Sequence, residues 1–275
     1  MEILTGCSGW SYAPWVGPFY PSNSKQADFL KLYSSAYDTV EIDSSFYHIP
    51  SGMTMHRWYN MTPPSFVFTA KMPKQITHDS GFRDYEEILG YFLRSYELLK
   101  EKQGPVLIQL PPSLNHESGW RPLRSFLDSL PSKPRFAVEF RNTSFFNGDV
   151  YSYLESRGIT LAWSEVPYVK SEPILTTETV YLRLVGDRSI KETEFGNVVK
   201  DRTESVRKWA ANIRSVEGSA ERVFIFSNNH FQGFGPATVN LVRRELGLDE
   251  IDWREKMNSS RPEGQLTLFD TKDQN

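Results

Sequence analysis

Eight short runs rich in β-branched and aromatic residues alternate with longer segments of helical character, and this alternation constrains the fold most strongly. The runs are ILTGCSG (3–9), TVEIDSSF (39–46), FVFTAKMP (66–73), PVLIQLPP (105–112), RFAVEFR (135–141), TLAWSEV (160–166), TVYLRLVG (179–186) and RVFIFSNN (222–229). Strand-like runs separated by helical segments are typical of repeated βα units. The sequence therefore predicts a parallel sheet covered by helices.

Most of the segments between these runs are predicted to be helical, at 26–36, 84–102, 119–130, 149–158, 203–216 and 236–247. Pro236 suits the first turn of the last helix, and Gly247 suits its C-terminal cap. Eight strands with intervening helices in a chain of 275 residues favour a single (β/α)₈ TIM barrel. A doubly wound open sheet is the alternative, because strand counts from one sequence are error-prone.

The composition narrows the class of protein and its partners. Hydrophobic residues make up 39% of the chain and the formal net charge is −3, which argues against disorder and against a surface that is basic throughout. Cys7 is the only cysteine, so the chain has no intrachain disulfide and suits a reducing cytosol. With no basic leader and no apolar run near the roughly 20 residues of a membrane helix, we expect a cytoplasmic protein.

Polar side chains stand near the C-terminal ends of several predicted strands, where TIM barrels build their active sites. Glu41 and Asp43 share one face of the second strand, and Glu139 and Arg141 share one face of the fifth. Burying an unpaired charge is costly, so these groups should be paired, hydrogen-bonded or hydrated. The predicted barrel mouth is further ringed by polar groups from three other strands, namely Lys71, Gln109 and Arg183.

Carboxylates beside Arg and Lys can act as a general acid and base, while the cations bind a negatively charged substrate. The predicted catalytic residues are Glu41, Asp43, Lys71, Glu139 and Arg141, with Glu41 and Glu139 as the acid and base. The predicted substrate-binding residues are Ser8, Trp10, Tyr12, Tyr47, Gln109, Arg183, Asn228 and Asn229. The alternative is a structural salt-bridge network that closes the barrel end without chemistry.

The sequence predicts no metal site and leaves the cofactor open. His48, His78 and His230 follow three of the predicted strands, but no pair of them has a recognised metal-ligand spacing. A divalent metal therefore stays an alternative without a defined ligand set. No Walker loop and no GxGxxG motif is present, so no nucleotide cofactor is predicted.

Seven sequence blocks, taken in order, are similar to those of a known family. The blocks are GCSGWSYAPWVGPFYP, VEIDSSFYHIPS, FVFTAKMPKQITH, PVLIQLPPS, VEFRNTSFF, YLRLVG and FSNNHFQGFGPATVN. Together they resemble domain-of-unknown-function family 72, also called YecE-like, over nearly the whole body of the chain. The resemblance implies a (β/α)₈ barrel and names no activity. The chain departs from it at Phe145 and Phe146, where the family pattern leads us to expect a tryptophan.

The composition turns polar after about residue 257, which predicts a barrel domain over 1–257 and a short flexible C-terminal tail over 258–275. In this tail, QLTLF resembles the pentapeptide Gln-Leu-x-Leu-Phe by which bacterial replication and repair proteins dock on the DNA sliding clamp. All four defining positions are matched, by Gln265, Leu266, Leu268 and Phe269. Such a peptide would fill a preformed apolar pocket, with the glutamine fixing its orientation. The alternative is that the apolar residues fold back onto the barrel.

Three functions are compatible with this sequence. The first is an enzyme, such as a hydrolase or lyase, that acts on a phosphorylated or nucleic-acid-derived substrate and is recruited to DNA through its tail. The second is a non-catalytic accessory factor that binds nucleic acid or an anion. The third is a sugar or sugar-phosphate enzyme unrelated to DNA, for which the polar mouth and the aromatic residues after the first strand suffice.

Overall fold

The β-rich runs form a barrel of eight parallel strands in the computed structural model, which describes residues 1–259. The barrel strands are β1 (Glu2–Cys7), β2 (Thr39–Ile42), β3 (Val67–Lys71), β4 (Gln103–Gln109), β5 (Phe136–Glu139), β6 (Thr160–Val166), β8 (Thr179–Leu184) and β9 (Arg222–Ser227). A two-residue strand, β7 (Val169–Lys170), pairs antiparallel with β6 outside the barrel. The predicted (β/α)₈ fold is confirmed, with the seventh and eighth predicted strands corresponding to β8 and β9.

The barrel closes between its first two strands. Neighbouring strands pair in parallel from β2 round to β9, and β9 pairs with β1. A parallel bridge then joins Ser8 to Glu41, and Gly9 donates its backbone N–H to the carbonyl of Glu41 at 2.9 Å. Beside this seam, a Cβ on Gly6 would lie 2.1 Å from the carbonyl oxygen of Thr39, so glycine is required there. The barrel therefore closes at a residue that carries one of the candidate carboxylates.

Helices cover the outside of the barrel. They are α1 (Phe29–Ala36), α2 (Gly52–Met61), α3 (Glu86–Glu97), α4 (His116–Ser129), α5 (Gly148–Ser156), α6 (Thr203–Ser215), α7 (Asn229–Gln232), α8 (Gly235–Glu245) and α9 (Trp253–Ser259). The pattern of the sequence does not predict α2, α7 or α9. In α2 only Met55 is fully buried, and Trp58 and Tyr59 are partly buried against the core, so its apolar face is short. A side-chain cap stabilises the N-terminus of α2, because Ser51 accepts a hydrogen bond from the backbone N–H of Thr54.

The ends of α8 follow the prediction from its Pro and Gly residues. Pro236 lies in the first turn, where its missing N–H costs no helical hydrogen bond. Gly247 has a φ of 77° just beyond the last turn, and its backbone N–H donates to the carbonyl oxygen of Arg244 at 3.0 Å. This segment therefore ends in a left-handed residue that only glycine adopts without strain.

The barrel interior changes from apolar to polar along its axis. The apolar part is formed by Leu4, Leu107, Ala137, Ala162, Tyr181, Phe224 and Phe226. Successive side chains on a strand point to opposite faces, so residues two positions apart share a face. Gln109, Glu139 and Arg183 each follow an interior residue by two positions and therefore lie above this apolar plug. The pleat of the strands thus gathers the polar groups at the C-terminal end of the barrel.

The last described helix, α9, runs through Ser259 and buries Met257. It includes residues 258 and 259, which the sequence assigns to the tail, and the boundary at residue 257 stays a prediction. The clamp-like peptide, residues 265–269, lies outside the described residues. Across residues 1–259, every helix is too short or too polar to cross a membrane.

Candidate functional site

A cavity of about 440 Å³ opens at the C-terminal ends of the barrel strands. This volume lies in the range of pockets that hold small molecules. The charged residues that line it are Asp43, Lys71, Arg141, Arg183, Asp187 and Arg188. They come from four different strands or the loops that follow them, so the closed barrel brings together residues that are far apart in the sequence.

Arg183 lies in the floor of the cavity, where two buried carboxylates hold its guanidinium. Its Nε donates to Oε2 of Glu41 at 2.9 Å and its Nη2 donates to Oε1 of Glu41 at 2.7 Å. Its Nη1 donates to Oε2 of Glu139 at 2.6 Å. Tyr181 adds a hydroxyl hydrogen bond to Glu41 at 2.7 Å. The Arg183 side chain is 3% exposed and both carboxylates are 0% exposed, so each charge is buried together with its partners.

Glu139 is held by a second arginine as well, because it forms an ion pair with Nε of Arg141. Burial by itself raises the pKa of Glu139, but Arg141 and Arg183 outweigh burial and lower the pKa to about 2. This carboxylate therefore stays ionised at neutral pH and cannot donate a proton there. Neither Glu139 nor Glu41 is among the described residues that line the cavity. Their contacts fit the alternative of a structural salt-bridge network at the barrel end. Their acid–base role stays a prediction.

Lys71 and Asp43 lie above this buried layer and both line the cavity. The distance from Lys71 Nζ to Asp43 Oδ1 is 3.4 Å, and the side chains are 9% and 32% exposed. Burial lowers the pKa of Lys71, and although Asp43 opposes this, Arg183 adds to the lowering. Burial raises the pKa of Asp43, but Lys71 and Arg183 outweigh it and bring the pKa below its ordinary value. Asp43 is therefore an ionised carboxylate beside a lysine that loses its proton more readily than usual.

Arg141 follows β5 and contacts two polar groups at the cavity. Its Nη1 donates to the hydroxyl of Tyr168 at 2.8 Å, and its Nη2 donates to Oε1 of Gln109 at 3.3 Å. Tyr168 lies in the turn between β6 and β7 and is 57% exposed. The sequence does not mark Tyr168 as a site residue, because a tyrosine in a short turn has no pattern that reveals a distant arginine partner.

Two histidines also line the cavity. His230 Nδ1 lies 3.0 Å from the carbonyl oxygen of Ile190. Since a carbonyl only accepts, Nδ1 carries the proton in the neutral ring and Nε2 keeps its lone pair. Burial and the nearby Lys71 lower the pKa of His78 to about 4, so this ring is neutral at physiological pH. Within residues 1–259, no three His, Cys, Asp or Glu side chains come together to hold a metal ion.

Comparison with known proteins agrees with the sequence blocks and the barrel. Residues 4–265 match the family model described as protein of unknown function DUF72. The chain belongs to this family. It is similar to the UPF0759 protein YunF of Bacillus subtilis, with 23% identity over 262 residues that cover 84% of this chain and 90% of that protein. It is 29% identical over 144 residues to the UPF0759 protein YecE of Escherichia coli, and this match spans 52% of this chain and 50% of that relative.

Crystal structures of other DUF72 proteins have the same fold. A DUF72 protein of Thermotoga maritima superimposes with a TM-score of 0.77 and 26% sequence identity, covering 90% of this chain and 100% of that one. A DUF72 protein of Enterococcus faecalis gives a TM-score of 0.72 and 20% identity, covering 90% of this chain and 96% of that one. The predicted resemblance to the YecE-like family is therefore confirmed.

In this DUF72 barrel, the predicted site residues divide into three groups. Those that line the cavity are Asp43, Tyr47, Lys71, Gln109, Arg141, Arg183 and Asn228. Glu41 and Glu139 lie beneath it. The remainder, Ser8, Trp10, Tyr12 and Asn229, make contacts within the fold.

The contacts of this third group join the loops around the first strand. Tyr12 donates its hydroxyl to the carbonyl of Ser8 at 2.6 Å, and Trp10 packs edge-on against Trp58. Asn229 Oδ1 accepts from the indole N–H of Trp15 at 3.0 Å. These contacts explain why polar and aromatic residues recur there without a bound substrate, and their predicted binding role stays a prediction.

Proposed function

We propose that this DUF72 protein is an enzyme that performs acid–base chemistry on a small, negatively charged substrate at the mouth of its barrel. The observation that carries the proposal is the division of the charged residues into two layers. In the buried layer, Arg183 pairs with both Glu41 and Glu139. In the upper layer, Asp43 and Lys71 face a cavity and are held at 3.4 Å. Rigid support beneath accessible ionisable groups is the arrangement that preorganised catalysis requires.

The distribution of charge favours an anionic substrate. At the mouth, three carboxylates offset the positive charges of Lys71, Arg141 and Arg183. They are those of Glu41, Asp43 and Glu139. At the rim, one carboxylate, that of Asp187, lies 2.7 Å from Lys200 and 3.7 Å from Arg202, and Arg188 also lines the cavity. Lys200 and Arg202 lie behind the residues that line the cavity, and together with Arg188 they outnumber this one carboxylate. This local excess of positive charge attracts a phosphorylated or carboxylated molecule.

The upper layer supplies groups for proton transfer. Asp43 is ionised and accepts a proton, and Lys71, with its lowered pKa, exchanges one more readily than an ordinary lysine. His230 adds a ring nitrogen with a lone pair. A hydrolase or lyase reaction on a phosphorylated substrate needs such a donor and acceptor together with cations that stabilise developing negative charge.

A thermal-shift screen followed by turnover assays tests the proposal. Inorganic phosphate, sugar phosphates and nucleotides should raise the melting temperature, whereas their unphosphorylated counterparts should not. Lys71→Met should abolish this rise and any turnover, whereas Asp43→Asn should abolish turnover and keep the rise, because it removes no positive charge. Lys74→Met is the matched control, because Lys74 pairs with Asp79 at 3.2 Å on the surface. Equal responses in Lys71→Met and the parent protein, or no response to any anion, would contradict the proposal.

Recruitment to a bacterial DNA sliding clamp is a separate part of the proposal. Its support is the match of Gln265, Leu266, Leu268 and Phe269 to all four defining positions of the clamp-binding peptide. A pull-down with the intact chain should recover the clamp, and the double variant Leu268→Ala/Phe269→Ala should lose it. If no partner is lost, the clamp proposal fails, and a sugar-phosphate enzyme unrelated to DNA becomes the better description.

The turnover assay also separates the enzyme from the non-catalytic alternative. An accessory factor would bind the same anions through Arg141 and Lys71 with a strong salt dependence, but it would yield no product after long incubation. Binding without product would therefore favour the accessory factor, and product formation that requires Asp43 would favour the enzyme.

A further inference from the structure

We infer that Lys71 is a nucleophile that forms an imine with a carbonyl compound carrying a negative charge, such as a 2-oxo acid or a phosphorylated aldehyde or ketone. The inference rests on the proposed function, since it names the substrate class of the same cavity. It assigns to Lys71 a covalent role beyond charge pairing.

Lys71 is held in position by the backbone around it. It ends β3, and its backbone N–H donates to Oγ of Ser45 at 3.1 Å. The same hydroxyl lies 2.7 Å from the carbonyl oxygen of Lys71, so the turn after β2 fixes both sides of this residue. The side chain is 9% exposed and lines the cavity. The amine is therefore accessible to a bound ligand while bulk water has limited access, which favours loss of water from an adduct.

The Nζ atom of Lys71 is held by weaker polar contacts than the other basic groups in the site. Its contact with Asp43 measures 3.4 Å, longer than the roughly 2.7–2.9 Å of a strong charged hydrogen bond. The ammonium also lies 4.1 Å from the ring centroid of Phe46. Burial and the neighbouring Arg183 favour the neutral, nucleophilic amine and outweigh the carboxylates of Asp43, Glu41 and Glu139, so the pKa of Lys71 is lowered. Arginine cannot take this role, because its guanidinium is not deprotonated in proteins.

Lys102 shows what a structural buried lysine looks like in the same barrel. Its Nζ donates to the carbonyl oxygens of Tyr59 and Thr62, each at 2.7 Å, and to Oγ1 of Thr62 at 3.0 Å. These three bonds use every N–H of an ammonium group. Burial lowers the pKa of Lys102 as well, so the two lysines differ in their contacts: the amine of Lys102 is enclosed by acceptors, whereas Lys71 has a long carboxylate contact and an open cavity.

Asp43 completes the proton transfers that imine formation requires. The Lys71 ammonium first passes a proton to the Asp43 carboxylate, and the neutral Nζ attacks the carbonyl carbon. A C–N bond forms as the C=O π pair moves to oxygen, which takes the proton back from Asp43. A second proton passes from nitrogen to oxygen by the same route, water leaves, and the C=N bond forms. The protonated imine keeps one positive charge, and no oxidant or reductant is needed.

Arg141 offers a place for the negative group of the ligand. Its Nη1 donates to the neutral hydroxyl of Tyr168, which belongs to an exposed side chain. A carboxylate or phosphate oxygen that replaces this hydroxyl brings a negative charge to the guanidinium, and arginine can bind either group with two parallel hydrogen bonds. The preferred carbonyl compound is therefore anionic, with its charge near Arg141 and its carbonyl carbon near Lys71.

Reductive trapping tests the inference with the full chain. The protein is incubated with pyruvate, or with glyceraldehyde 3-phosphate, and sodium cyanoborohydride, and the adducts are located by peptide mass mapping. Lys71 should be labelled at least about tenfold faster than exposed Lys74, and Lys102 should stay unmodified. Lys71→Arg should remove the fast adduct, Lys74→Arg should keep it, and an uncharged carbonyl such as acetone should label Lys71 slowly.

The outcomes separate this inference from the proposed function. Labelling that follows lysine exposure in the parent protein overturns the inference, and this measurement does not depend on the folding of any variant. A fast adduct that persists in Lys71→Arg overturns it as well. If anions raise the melting temperature through Lys71 but no adduct forms on it, the proposed function stands and the covalent role fails.

Discussion

Arg183 on β8 donates from Nε and Nη2 to the carboxylate of Glu41 on β2, and both side chains are almost completely buried. The two residues are 142 positions apart in the sequence. Glu41 also forms the bridge to Ser8 at the seam between β1 and β2. The pair therefore links the closure of the barrel to the floor of the cavity, and its loss should affect both.

We expect Glu41→Gln and Arg183→Met each to destabilise the protein by about 3–5 kcal/mol, because each leaves a buried charge without its partner. The double variant Glu41→Gln/Arg183→Met should cost less than the sum of the two single changes. Urea unfolding followed by circular dichroism measures these differences. A cost under about 1 kcal/mol for both single variants would show that the pair is not a structural link.

Acid should destabilise the protein partly through Glu139. Its pKa is lowered in the folded state from 4.5 to about 2, so the folded state favours the ionised form. The stabilisation from this group is fully present above the unfolded pKa and is lost as the pH falls from about 4.5 towards 2. Asp43, whose pKa is also lowered, contributes in the same direction. The free energy of unfolding, measured from pH 6 to pH 2, should fall less steeply in Glu139→Gln, and an unchanged slope would contradict this assignment.

The two buried lysines should respond differently to the same substitution. Lys102→Met leaves three oxygen acceptors near Tyr59 and Thr62 without their donor and should cost about 1–3 kcal/mol. Lys71→Met removes a long ion pair from a cavity wall and should cost less than about 1 kcal/mol. Guanidinium unfolding of both variants checks the contrast. If Lys71→Met is the more destabilising change, Lys71 is a structural residue.

Gly186 controls how closely the loop after β8 approaches His230. It has a φ of 80°, and a Cβ there would lie 2.2 Å from the carbonyl oxygen of His230. Gly186→Ala should therefore cost more than about 2 kcal/mol and displace one wall of the cavity, weakening any anion-induced thermal shift. Gly247→Ala is the matched control, since its φ is 77° but a Cβ meets nothing within 4 Å, so only backbone strain of about 1 kcal/mol is added. Similar losses of stability in both variants would contradict a steric clash at Gly186.

Local patterns were sufficient to predict most of the fold. The strands are short runs of β-branched and aromatic residues. The alternation of side chains along them predicts that Gln109, Glu139 and Arg183 lie on the interior face. The pattern does not predict α2, because its apolar face is short, with Met55 fully buried and Trp58 and Tyr59 only partly buried. Its formation depends on a cap at Ser51 and on its place between β2 and β3.

The sequence by itself determined the (β/α)₈ architecture and the set of polar residues at the barrel mouth, because both follow from spacing along single strands. Only the tertiary structure decided which of those residues line the cavity. The sequence predicts Glu41 and Asp43 on one face of the same strand, but β2 ends at Ile42 and Asp43 begins a 3₁₀ helix. Glu41 is buried against Arg183, while Asp43 lines the cavity beside Lys71. The difference depends on depth along the barrel axis and on partners from distant strands, which no local pattern records.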